Sequence, residues 1–199
     1  MWNLDLAFAD IVSTSSDPRV GAIRIAWWRE RLEELDGQAA PPNEPRLQDV
    51  AAELLPRGLS GKELSLLEDA WLPLLAAFPW RQEQADGLRF RGRILFGLGA
   101  RLLGWDSNEA EPAGALWSLV DGARHCSDVD SRMLLLGEAR RAIGDFPPNR
   151  PPRFARAMTV LAALAAHDVL RKKPLDVGGG SGRLATAMVH RLRGSSPRG

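Results

Sequence analysis

An all-α fold is expected from this sequence on three grounds. Apolar residues recur at three- and four-residue steps along nearly the whole chain, the repeat of one helix face. No run alternates polar and apolar positions with the β-branched enrichment of a strand. Breaks rich in proline, "QAAPPNEP" and "DFPPNRPP", punctuate the periodic stretches. Six to nine helices are expected. No fixed-period repeat is present, which argues against a solenoid.

The elements follow in order. The chain opens on "MWNLDLAFADIV", with apolar residues almost at once, as though it began inside an element that is longer elsewhere. In "DPRVGAIRIAWWRERLEELDG", Val20, Ile23, Trp27 and Leu35 recur at helical steps beside Trp28 and Leu32. Pro18 sits in the first turn after Asp17, and Gly37 ends the run. Residues 46–56 read as a short amphipathic helix. Ser60 is a suitable cap for the helix that follows, which Pro73 should kink or divide. From Trp80 to Gly104 the face Leu88, Leu95, Leu98 and Leu102 predicts a long helix. Helices are then expected at about 110–126, 129–144, 152–171 and 182–193. In the last, Leu184, Met188 and Leu192 are expected to face inward, while His190, Arg191 and Arg193 complement its C-terminal dipole.

At 199 residues the chain suits one domain, and 1–199 is read as a single helical domain. Hydrophobic residues at 45% and charged residues at 26% are ordinary for a globular protein. A net charge of +1, from 26 Lys and Arg against 25 Asp and Glu, argues against a nucleic-acid partner, which would call for a basic excess. The single cysteine, Cys126, rules out an internal disulfide and any Cys-rich zinc site. No apolar run approaches the roughly 18 residues of a membrane span. The acidic start is unlike a signal peptide, so a cytoplasmic location is expected.

The string "DVGGGSG" at 176–182 fits D-x-G-x-G-x-G, the first loop of an S-adenosylmethionine-dependent methyltransferase. That loop needs a strand before it, βα units after it and an acid for the ribose hydroxyls. At most four residues before it could form a strand. Only 17 residues follow Gly182, and none of them is Asp or Glu. The string therefore reads as a hinge into the last helix.

A different phrase is more telling. "AFADIVSTSSDPRVGAIRIAWWRERL", with Arg24, Trp27, Trp28 and Arg29 at its centre, resembles the squalene/phytoene synthase family. Members without full activity, including the branch related to mitochondrial complex I assembly factors, carry a similar phrase. The stretch "GARLLGWDSNEAEPAGALWSLVDGARH" is similar to a later core helix of that family, and the closing "GSGRLATAMVHRLRG" to the ends of bacterial members. The resemblance implies an isoprenoid-synthase-like helical bundle, here truncated at its N-terminus. Active members condense two prenyl diphosphates head to head, using Asp-rich motifs of the D-x-x-x-D kind on facing helices. The chemistry needs such pairs because Mg²⁺ bridges diphosphate oxygens through carboxylates, and a four-residue spacing sets both on one helix face.

The chain departs from the pattern at that point. Aligned with the first acid motif, "AFADIV" puts Ala9 and Ser13 at the outer positions and leaves only Asp10 acidic. In place of the second motif stand Asp121, Arg124, His125, Asp128 and Asp130, without the family's Gln and Asn. On a continuous helix Asp121, His125 and Asp128 would align as i, i+4, i+7 metal ligands. Alternatively "SDVDS" is a helix boundary, capped by Ser127 or Asp128, with Asp121 paired to Arg124 or His125. Trp27 and Trp28 read as core and core-edge packing. Arg24 and Arg29 read as ion-pair partners of Glu30, Glu33 or Asp17, and Cys126 as a buried thiol.

The resemblance thus implies a protein with a degraded diphosphate site and a non-catalytic or accessory role, the alternative being an active prenyl transferase of carotenoid or squalene synthesis. Substrate contacts would fall to Arg24, Trp28, Arg29, Asp121 and Arg124. Asp10, Asp121 and Asp128 would hold Mg²⁺ only in the active case, and otherwise no cofactor is expected. The expected partner is a prenyl diphosphate or a protein, with peripheral contact at the inner membrane because prenyl chains are greasy.

Overall fold

The structure is a computed structural model and describes residues 1–37, 40–145, 150–171, 175 and 180–197. Ten α-helices and no strand occur among these residues, so the fold class is all-α. The chain divides into two compact units, Met1–Ala77 and Phe78–Gly199, and each is described by itself.

The first unit begins with α1 (Trp2–Thr14), which buries Leu4, Ala7, Phe8 and Ile11 along one stripe. Helix α2 (Pro18–Leu35) starts as expected, with the Asp17 carboxylate accepting from the Arg19 N–H at 2.8 Å and Pro18 in the first turn. It buries Ile25, Trp28, Leu32 and Leu35. The expected helix over 46–56 is present in altered form. After α3 (Pro45–Asp49), capped by Glu44, the chain widens to a π turn over Val50–Leu54 and tightens to a 3₁₀ turn over Leu55–Arg57.

Ser60 caps α4 (Gly61–Ser65) in a reciprocal box with Glu63. Asp36, just past α2, accepts from the Gly61 and Lys62 N–H groups at 2.6 and 2.9 Å. A Cβ on Gly61 would run into the Leu32 carbonyl, so glycine lets α4 begin directly against the α2 backbone. Helix α5 (Leu67–Trp71) then gives way to a 3₁₀ turn, Leu72–Leu75, at Pro73. A further break falls at Leu66, where no proline marks it.

The second unit is built on α6 (Gln82–Leu102) and α7 (Ser107–His125). Gly92 and Gly114 meet backbone to backbone, and a Cβ on either would collide with the other's carbonyl. Helix α7 starts three residues ahead of the expected position because Asp106 accepts from the Asn108 N–H at 2.9 Å. Helices α8 (Val129–Ala142) and α9 (Arg156–Leu170) also pack on α7, and α10 (Ser181–Arg193) rests on α9.

The expected facing of α10 is corrected. Leu184 and Met188 are each 56% exposed and Leu192 is 75% exposed, whereas His190 is fully buried. The physical reason is polar. The His190 Nε2 lies 2.8 Å from the Thr159 hydroxyl and the Thr186 hydroxyl lies 2.9 Å from His167 Nδ1, so the helix docks on α9 through its polar side. Asp176 to Gly179, the body of the glycine string, lie outside the described residues, as does the hinge reading that rests on them. Gly180 to Gly182 form the start of α10.

Candidate functional site

Asp121, Arg124 and Asp128 belong to the second unit, around the end of α7. The Arg91 side chain, on α6, is almost wholly buried and donates to Asp121 Oδ2 at 2.8 Å and to the Ser118 hydroxyl at 3.3 Å. Its guanidinium also lies 4.8 Å from the centre of the Trp117 ring. Asp121 therefore compensates a buried cation. A guanidinium taken out of water without an anion would be strongly unfavourable.

The expected line of Asp121, His125 and Asp128 is broken. Helix α7 ends at His125, and Asp128 stands outside it as the N-cap of α8. Its carboxylate accepts from the Ser131 N–H at 2.8 Å and the Ser131 hydroxyl at 2.6 Å. These bonds, that from the hydroxyl first, hold the Asp128 carboxyl below its ordinary pKa of 3.8. His125 is exposed, with Nδ1 2.9 Å from the Asp121 carbonyl and 3.6 Å from its carboxylate. Cys126 is buried, and desolvation pushes its thiol pKa upward, away from nucleophilic character.

Arg124 donates to Asp168 on α9, and Arg183 of α10 donates to the same carboxylate oxygen. This three-helix cluster was not legible in the sequence, because its members stand 44 and 15 residues from Asp168. Local spacing carries no signal for such pairs.

Asp10, Arg24, Trp28 and Arg29 belong to the first unit. Asp10 is exposed on α1. Arg24 reaches the Thr14 and Ser15 hydroxyls, both at 3.5 Å. The Arg29 partner is Glu68, 3.2 Å away, rather than any of the three acids expected from sequence. Burial raises the Glu68 pKa despite this arginine. Trp28 is buried, its ring 6.2 Å from that of Phe8, and the half-exposed Trp27 meets it edge-on at 5.4 Å. The sequence reading missed Asp5, a buried carboxylate that accepts the Trp71 indole N–H at 2.9 Å.

The structure thus divides the expected site residues, four on the first unit and three on the second. Asp121 and Asp128, the two acids among them on the second unit, already serve structural groups, the Arg91 guanidinium and the start of α8. Among the described residues no three His, Cys, Asp or Glu side chains gather as a metal ligand set. No described helix is long and apolar enough to cross a membrane. Comparison of the chain with models of protein families, with curated proteins and with solved structures finds no match in any of the three.

Proposed function

We propose that this chain is a divergent helical protein of the squalene/phytoene synthase kind with an accessory, non-catalytic role. The observation that carries the reading is the pairing of Asp121 with the buried Arg91. A carboxylate that neutralises an internal guanidinium cannot be given to Mg²⁺ without leaving that cation uncompensated. Asp128, the second acid of the region, is likewise engaged at the start of α8. Prenyl transfer needs clustered carboxylates to hold the cations that stabilise departing diphosphate, and charge stabilisation of that kind dominates such chemistry. The accessory role is directed at a protein or at a prenyl compound bound without turnover.

The test is incubation of the pure protein with Mg²⁺ and farnesyl or geranylgeranyl diphosphate. No pyrophosphate release is expected. Pyrophosphate together with a thirty- or forty-carbon product would instead establish the alternative, an active prenyl transferase.

A further inference from the structure

The reversed facing of α10 leaves a groove that the accessory role has use for. It lies between α9 and α10 in the second unit and encloses about 950 Å³. Leu184, Met188 and Leu192 form one wall at a four-residue spacing, and all three are more than half exposed. Ala157 and Ala187, small residues on the two helices, leave room between the larger ones. An array of large side chains around a shallow floor is what accepts the apolar knobs of a packing helix. The wall from Leu184 to Leu192 runs about 12 Å, a little over two turns of a partner helix.

The charge around this groove has one sign. Arg153, Arg156 and Arg191 line it, and Arg193 follows on the last turn of α10. Arg156 donates to the Arg191 and Leu192 carbonyls and so closes the C-terminus of α10. Arg153, Arg191 and Arg193 have no carboxylate partner among the described residues. Between residues 150 and 197 the sequence holds nine Lys and Arg against two Asp. One of those two, Asp168, is already shared by Arg124 and Arg183.

From this complementarity we infer that the α9–α10 groove binds an acidic amphipathic helix of a protein partner. Leucine-like residues of that helix fill the apolar floor, and Glu or Asp on its flank meets Arg153 and Arg191. A concavity between two helices suits a helix better than a bilayer surface, into which a basic amphipathic helix presents a convex apolar face. The inference rests on the accessory reading for its purpose. Its test contains no diphosphate, so the two readings fail separately.

The test titrates the full chain with labelled helical peptides that share one apolar stripe and differ in flank: glutamate, serine or lysine. Vesicles of neutral and of anionic phospholipid are titrated in parallel. The glutamate peptide is expected to bind tightest, to weaken with salt, and to lose about tenfold in affinity on Arg153→Glu plus Arg191→Glu. That double variant should prefer the lysine peptide, a reversal that mere loss of structure cannot produce. Met188→Glu, at an exposed position, should weaken all three peptides while the helical circular-dichroism spectrum is kept. Equal binding of the three flanks, binding of none, or anionic vesicles outcompeting the glutamate peptide would each overturn the inference.

Discussion

Asp121 Oδ2 accepts the buried Arg91 guanidinium at 2.8 Å, tying the end of α7 to the middle of α6. Asp121→Asn is therefore expected to lower stability by about 2 kcal/mol, the cost of a charge-assisted bond to a buried cation. Ser118 and the Trp117 ring remain to hold Arg91, which keeps the loss below complete unfolding. Urea unfolding of the two proteins measures it. An unchanged midpoint together with weakened Mg²⁺ binding would instead make Asp121 a metal ligand.

Asp128 is expected to act through a cap, so replacement should discriminate by chemistry. Asp128→Ala removes Oδ2, the one oxygen that accepts from both the Ser131 N–H and the Ser131 hydroxyl, whereas Asp128→Asn keeps an amide oxygen and remains a good capping residue. Thermal unfolding should rank wild type above Asn and Asn above Ala. Because the folded carboxyl sits below 3.8, its contribution is complete above that value and fades as the pH falls through the lowered pKa. The Ala variant should therefore approach wild type in strong acid.

Gly92 and Gly114 leave no room for a side chain where α6 crosses α7. A Cβ at Gly92 would also stand 2.8 Å from the Ser118 Cβ, and one at Gly114 2.7 Å from the Phe96 Cβ. Gly92→Ala and Gly114→Ala should each cost about 3 kcal/mol, although alanine is the better helix former. Gly137, with open space around its Cβ position, is the control, and Gly137→Ala should stabilise slightly. A destabilised control or unaffected Gly92 and Gly114 variants would contradict the close crossing.

His190 gives the second unit a pH dependence. Burial, then the nearby Arg156, disfavours the imidazolium and lowers its pKa from the ordinary 6.5, while the Ser195 carbonyl opposes the shift. The unfolded chain then binds the proton more readily than the folded one. This contribution to stability is full above 6.5 and is lost as the pH falls towards the lowered folded value. Unfolding midpoints measured near neutrality and at about pH 5 should differ, and His190→Gln should reduce that difference.

Fold class and most helix starts are legible in the sequence. Apolar periodicity and caps are local signals, as Asp17 before Pro18, the Ser60–Glu63 box and the boundary at Asp128 illustrate. The W-W-R phrase reads Trp27 as core and Trp28 as core edge, and the structure reverses the two, since Trp28 is buried and Trp27 is exposed at the edge. The partners of the charged side chains follow from helix packing instead. Arg29 with Glu68, Arg91 with Asp121, and Arg124 and Arg183 with Asp168 join residues 15 to 44 positions apart. Such pairs depend on how helices pack, which spacing along one helix does not encode. The same reason governs α10. Its pattern reads as an apolar stripe to be buried, yet hydrogen bonds from Thr159 and His167 to its polar side turn that stripe outward.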